Sequence, residues 1–174
     1  MSLGTPSRLI IGTQIGRGDM MSESQEHSLQ GLHVLIGEWD TEATHPRLPG
    51  TVVPGRCVFE WLEGEKFLIL RSHSDHPDFP DGISILGDTG GLRMHYFDSR
   101  GVARIYQMKL IDGVWALWRD RADLSPLDFA QRFVGTFSVD GQSIHGRWEA
   151  CHDGTTWEDD LKITYQRTTG ASRG

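Results

Sequence analysis

Three Asp-Gly dipeptides in the second half of the sequence constrain the fold more than any other feature. Asp112-Gly113, Asp140-Gly141 and Asp153-Gly154 each lie between segments in which apolar and polar residues alternate. Asp-Gly is favoured in tight β-hairpin turns because both residues tolerate the positive φ angles that these turns require. A fourth hairpin is expected at Asp98–Gly101, with Gly101 in the left-handed conformation. The sequence therefore predicts consecutive antiparallel strands joined by short turns.

The four turns also predict the register of the strands, and each hairpin then brings its apolar residues to one face. Residues on that face would point into the protein, and those between them would point to solvent. The expected cross-strand partners are Tyr96 and Arg104, Met94 and Tyr106, Met108 and Leu117, Phe133 and Trp148, and Trp148 and Asp159.

The segment Leu35–Thr41 is predicted to be the first strand, with one buried face and one solvated face. Gly37 leaves room for the close approach of a large group, and Trp39 is large enough to fill the end of a small barrel. If the first and last strands are neighbours, the Arg167 guanidinium can lie over the Trp39 ring as a cation–π pair.

Counting such segments gives about ten strands, which favours a closed all-β, up-and-down antiparallel barrel over a sandwich. On the third strand, Leu68, Leu70 and Ser72 are expected to point inward. Two helical features are expected besides: a capping helix at 24–33, and one helical turn near 125–130 where Pro follows a capping Ser.

The length of 174 residues fits one domain, which we place at 22–168. Residues 1–21 are expected to be disordered or to precede the folded domain, and 169–174 to form a flexible tail. The formal charge of −7, without a basic stripe, argues against nucleic acid. No export signal or membrane span is recognised, and Cys57 and Cys151 are expected on separate strands as free thiols, so a cytoplasmic location is predicted.

Following the strands up and down places the longer loops at one end of the barrel, which we call the mouth. The predicted register turns polar side chains inward there, above an apolar floor, and this is what a small-ligand site requires. The candidate ligand-binding residues are Tyr96, Arg104, Tyr106, Arg119 and Asp159 in the mouth, and Met94, Met108, Leu117, Phe133 and Trp148 in the floor.

Two inward arginines against one carboxylate leave positive charge that an anionic or oxygen-rich ligand head would neutralise. One alternative is that Asp159 and the tyrosines satisfy both arginines, so that the network only closes the barrel. Another is that large side chains fill the barrel completely.

Gly37-X-Trp39 near the start, with Arg167 at the end, resembles the signature of the calycins, the lipocalin and fatty-acid-binding superfamily. The second half resembles bacterial lipocalin-like domains of unknown function, a family that supplies a fold but no site residues. The segments that carry this resemblance are Met94–Gly101, Gln131–Phe133 and Gly146–Glu149.

The chain is also similar in size and strand pattern to nitrobindin-like barrels, a resemblance that implies haem held by a histidine on the last strands. The segment 157–167 contains no histidine, so no cofactor is predicted, and a haem would need a rim residue such as His73 or His152. His73 and His76 have a spacing that could bind a metal, but no third ligand is evident, so no metal site is predicted.

Some calycin-shaped barrels, phenolic acid decarboxylases among them, hold an acid substrate with an inward arginine, tyrosines and a carboxylate. The enzymatic alternative is therefore a small calycin-type enzyme acting on a carboxylic acid, with Asp159 as the acid–base group. An apolar strip of Val114, Ala116 and Trp118, expected on the outer face, suggests a possible homodimer contact.

Overall fold

The computed structural model describes residues 29–168, and these form ten antiparallel strands that close into a barrel. The predicted segments 1–21 and 169–174 lie outside the described residues. The strands are β1 (Gly37–Thr44), β2 (Val53–Trp61), β3 (Leu68–Ser74), β4 (Gly82–Asp88), β5 (Leu92–Asp98), β6 (Ala103–Ile111), β7 (Val114–Arg119), β8 (Ala130–Phe137), β9 (Ser143–Cys151) and β10 (Glu158–Arg167).

Each strand pairs with the next one in the chain, and β1 closes the barrel by pairing with β10 as well as β2. The predicted all-β, up-and-down barrel is therefore confirmed. Closure pairs every strand on both edges and so leaves no edge strand to associate with another chain.

The turns set the register over β5–β9 as predicted. Gly101 has φ of 82°, and the hairpin it closes pairs Tyr96 with Arg104. Asp112 and Gly113 have φ of 52° and 72°, as a tight hairpin turn requires. The inward orientation of Leu68, Leu70 and Ser72 on β3 is also confirmed, since Leu68 is buried and the other two line the interior.

The predicted register of the last hairpin is wrong. Trp148 pairs with Leu161 rather than with Asp159, and β10 contains a bulge between Asp159 and Leu161. The loop 152–157 is longer than a two-residue turn because the Asp153 carboxylate accepts hydrogen bonds from the backbone N–H groups of Thr155 and Thr156. Asp159 consequently faces outward, where it contacts Arg147.

The closed end of the barrel is built around the predicted pair of Trp39 and Arg167, which the structure confirms. The guanidinium carbon lies 4.1 Å from the centroid of the Trp39 ring. Arg167 also donates hydrogen bonds to the carbonyl oxygens of Val34 and Ile36. Gly37, with φ of 124°, is required here, because a Cβ at this position would lie 2.8 Å from Arg167 Nη1.

One of the two helical predictions needs correction. Residues 24–28 of the predicted capping helix lie outside the described residues, residues 29–30 are helical, and a 3₁₀ turn follows at Gly31–Leu35. Leu32 and Leu35 of this turn are buried against the closed end. The predicted helical turn near 125–130 is wrong. In that loop, which has no helical residues, the carbonyl groups of Ser125 and Pro126 accept hydrogen bonds from the side chain of Arg119.

The apolar strip predicted on β7 lies on the outer face of the barrel. Val114 is exposed and Ala116 and Trp118 are half-buried on the outer face of β7, beside the exposed Val134 of β8. Cys57 and Cys151 are free thiols on β2 and β9, as predicted. Among residues 29–168, no helix has the length and apolar character needed to cross a membrane.

Candidate functional site: the mouth of the barrel

A cavity of about 570 Å³ opens at the mouth. The loops after β1 and β3 contribute to its rim through His45, Arg47 and Phe79, and the strands supply its walls. Its size lies within the usual range for small-molecule sites. The barrel interior is therefore hollow in its mouth half, although the closed half is packed with buried side chains.

Arg104, a predicted site residue on β6, lines this cavity. Its Nη1 donates a hydrogen bond to Gln131 Oε1 at 2.5 Å, and its guanidinium carbon lies 5.0 Å from the centroid of the Phe129 ring. None of the ion pairs among the described residues includes Arg104. Its Nε and Nη2 donate to no acceptor within residues 29–168, so this edge of the guanidinium is free to bind a carboxylate side-on.

Gln131 on β8 connects the polar groups of the cavity, and it was not among the predicted site residues. Its Oε1 accepts hydrogen bonds from Arg104 and from the Tyr106 hydroxyl, the latter at 2.8 Å, and its Nε2 lies 3.4 Å from Asp160 Oδ2. The alternation along β8 could have found it, because Gln131 has the same parity as the inward Phe133.

Tyr96 and Tyr106, both predicted, line the cavity from β5 and β6. The Tyr96 hydroxyl donates to Asp98 Oδ2 at 3.0 Å, and Asp98 also forms an ion pair with Arg100. Burial raises the pKa of Tyr96, and the nearby Asp98 raises it further. Burial likewise raises the pKa of Tyr106, against the opposing effect of Arg104. Both hydroxyls therefore stay protonated at neutral pH, and they donate these protons to Asp98 and Gln131.

Arg119 lies on the inward parity of β7, as predicted, but its guanidinium is held by the loop after this strand rather than offered to the cavity. Its Nε donates to Asp123 Oδ2 at 2.8 Å, and Nη2 donates to the Pro126 carbonyl at 2.8 Å. Arg119 is 3% exposed and does not line the cavity. It acts instead as a positioning residue for the loop that carries Phe129.

Asp159 does not reach the cavity, and Asp160 takes the place expected for it. The bulge in β10 turns Asp160 inward, where its Oδ1 lies 3.4 Å from His45 Nε2. His45 Nδ1 accepts a hydrogen bond from the backbone N–H of Arg47 at 3.0 Å, which assigns the ring proton to Nε2, facing Asp160. With Asp159 outside the barrel, the acid–base group named for the enzymatic alternative is removed from the site.

The floor contains most of the predicted apolar residues. Met94, Leu117, Phe133 and Trp148 line the cavity, whereas Met108 lies deeper, in the core of the closed half. Cys57 also lines the cavity, and burial raises the pKa of its thiol to about 12, so it stays protonated at neutral pH.

The side chains that line the cavity carry a net positive charge, whereas the whole chain carries a net negative charge. Within residues 29–168, four arginines line it against two aspartates, although the chain carries a net charge of −7. Arg100 is paired with Asp98, and Asp160 contacts His45 and Gln131 rather than an arginine. The lining residues are Arg47, Arg56, Arg100, Arg104, Asp78 and Asp160. The cavity therefore favours anions.

The histidines near the mouth each contact other residues. His45 lines the cavity, but both of its ring nitrogens are engaged. His73 contacts Asp75 and Asp81 outside the cavity, and the His152 ring packs 4.8 Å from that of Phe129. Over residues 29–168, no cluster of three or more His, Cys, Asp or Glu side chains could hold a metal ion.

The closed ten-stranded antiparallel barrel, open at one end, fits a calycin-like barrel. No protein-family model matches the sequence, and no curated protein matches it. Among solved structures, the chain is similar to the crystal structure of Rv2717c from M. tuberculosis, with a TM-score of 0.58 and 16% sequence identity. The similarity covers 81% of this chain and 97% of that one, and at this identity it shows the fold alone.

Proposed function

We propose that the protein binds a small molecule whose anionic head group contacts Arg104 and whose apolar body lies on the cavity floor. The observation that carries this proposal is the state of Arg104, a cation in a cavity with no carboxylate partner among the described residues. A guanidinium cannot lose its charge, so a group in this position needs an anion or water.

The surrounding residues support the same proposal. Tyr106 and Gln131 are buried and already bonded to each other, so Arg104 is held in place before a ligand arrives. A prearranged cation loses little conformational freedom on binding. Below it, the aromatic and aliphatic floor provides apolar surface that a purely polar ligand would leave in contact with water.

The test uses two fluorescent probes that differ by one anionic group: 8-anilinonaphthalene-1-sulfonate and the uncharged N-phenyl-1-naphthylamine. We expect the sulfonate to bind more tightly. Arg104→Gln is expected to weaken sulfonate binding by about tenfold or more, with little effect on the uncharged probe. Gln131→Glu is expected to act in the same direction, because it supplies a carboxylate next to Arg104.

Arg71→Gln is the matched control, since it removes the same charge from the outer face of the barrel, where Arg71 pairs with Glu60. Thermal unfolding of each variant separates loss of binding from loss of folding. Equal sulfonate affinities for Arg104→Gln and Arg71→Gln, in folded variants, would overturn the proposal.

A further inference from the structure

Six aromatic rings line the mouth cavity in one continuous series of contacts, which we call the arc. Successive ring centroids along this arc are between 5.0 and 6.5 Å apart, and adjacent planes are tilted or perpendicular. The strands β5–β10 supply the rings, in the order Tyr96, Tyr106, Trp148, Phe133, Trp115 and Tyr165, and all six line the cavity. Because adjacent planes are tilted or perpendicular, the rings of the arc do not share one orientation.

Short side chains on β1–β4 line the cavity beside the rings. They are Thr41, Cys57, Ser72 and Ser84. Thr41 is the cross-strand partner of Tyr165, and Ser84 is that of Tyr96. Their small size leaves open volume next to the aromatic rings. The Tyr96 ring also approaches Gly82 so closely that a Cβ there would lie 3.2 Å from Tyr96 Cε2.

From this arrangement we infer that the body of the ligand is a planar aromatic ring system and that its anionic head is a carboxylate. This inference rests on the proposed function, since it names the class of ligand for the same cavity. Aromatic rings attract one another in offset or edge-to-face geometry at centroid distances of about 4.5–7 Å, beyond the effect of burying their area. The side-on edge of Arg104, set at the mouth, matches the planar geometry of a carboxylate.

The experiment compares three carboxylates with the same number of carbon atoms: naphthalene-2-carboxylate, its decahydro analogue and undecanoate. They share one charge and differ in planarity and π electrons. The saturated compounds are the more hydrophobic, so burial of apolar surface alone would favour them. We expect calorimetric titration to give the aromatic carboxylate an affinity on the order of tenfold higher than that of either saturated compound.

Trp148→Leu is expected to reduce this preference, because Trp148 is the ring between Tyr106 and Phe133 in the arc. Trp157→Leu is the matched control, since Trp157 packs against Arg132 and does not line the cavity. Ser84→Val provides a second variant that keeps the arc intact. It fills space in the cavity beside Tyr96 and should weaken binding of the aromatic carboxylate.

The outcomes separate the inference from the function on which it rests. If the saturated carboxylates bind as tightly as the aromatic one, and all depend on Arg104, the inference fails and the anion site stands. If none of the carboxylates binds and the sulfonate probe does not depend on Arg104, the proposed function fails. An aromatic preference that survives Trp148→Leu and Ser84→Val unchanged would also overturn the inference.

Discussion

Arg119 and Asp123 form a buried ion pair four residues apart, with Nε and Oδ2 separated by 2.8 Å and both side chains nearly inaccessible to solvent. The same carboxylate accepts the backbone N–H groups of Ile105 and Ser125, and Arg119 donates to three backbone carbonyls. This pair therefore fastens the loop 120–129 to the barrel. Because that loop carries Phe129, the pair also supports the ring on which Arg104 lies.

Asp123→Asn is expected to destabilise the protein by about 3 kcal/mol at neutral pH, because it leaves the Arg119 charge buried without a partner. Burial alone would raise the pKa of Asp123, but its bonds from Arg119 and from backbone N–H groups hold that pKa below its usual value. Ionised Asp123 therefore contributes stability above about pH 4 that is lost as the pH falls through its lowered pKa.

Urea unfolding at several pH values between neutral and strongly acidic measures both effects. The variant should lose less stability on acidification than the original protein does. Asp128→Asn, an exposed position in the same loop, is the matched control and should change little. Parallel pH profiles for the Asp123→Asn variant and the original protein would contradict this prediction.

Arg167→Met is expected to cost about 3 kcal/mol, because it removes the cation–π contact with Trp39 and the hydrogen bonds to Val34 and Ile36. Arg167→Lys should cost less, since it keeps the charge but not the planar guanidinium. Chemical denaturation measures both variants. Arg71→Lys, at an exposed ion pair, is the control and should be close to neutral. An Arg167→Lys variant as stable as the original protein would show that charge alone is sufficient.

Most of the barrel was predictable because its determinants are local. The turn at Asp112-Gly113 requires positive φ angles that few residues adopt, so the dipeptide indicates both the hairpin and its register. The same logic failed at Asp153-Gly154. There the Asp153 side chain binds the backbone N–H groups of Thr155 and Thr156, and the loop lengthens. The dipeptide does not reveal which of these two turns will form.

The candidate site was only partly predictable. Successive side chains of a strand alternate between the two faces, so the sequence gives the direction of a side chain but not its hydrogen-bond or ion-pair partner. Arg104 and Arg119 both have inward parity, yet only Arg104 lines the cavity. The sequence did contain a local signal for this difference, because Asp123 lies four residues after Arg119 and forms an ion pair with it. The bulge that turns Asp160 inward left no such signal, since it depends on the pairing of β9 with β10.

Cys57 should react with disulfide reagents at a rate that rises about tenfold per pH unit up to strongly alkaline pH. Burial raises its pKa to about 12, so the thiol stays protonated at neutral and mildly alkaline pH. A Cys151→Ser variant restricts the signal to Cys57, and the unfolded variant gives the reference rate. A rate that levels off near pH 9 would show that the thiol is not perturbed.

Gly146→Ala is expected to destabilise the protein because the added Cβ would clash with the Phe133 ring. A Cβ at Gly146 would lie 2.5 Å from Phe133 Cε2, and one at Gly135 would lie 2.9 Å from the same ring. Because Phe133 is packed between Trp115 and Trp148, it has little room to move. We expect a cost of about 1–3 kcal/mol for Gly146→Ala and a smaller one for Gly135→Ala.

A double-mutant cycle with Phe133→Leu isolates this contact. If the ring causes the strain, Gly146→Ala should cost at least about 1 kcal/mol less in the Phe133→Leu background than in the original protein. Urea unfolding of the four proteins gives the coupling energy. Additive costs would mean that the strain arises elsewhere, for instance at Ile163, whose Cγ2 would lie 3.1 Å from the same Cβ. Since Phe133 lines the cavity, a ring displaced by the Gly146→Ala substitution should also weaken binding of the naphthalene probes.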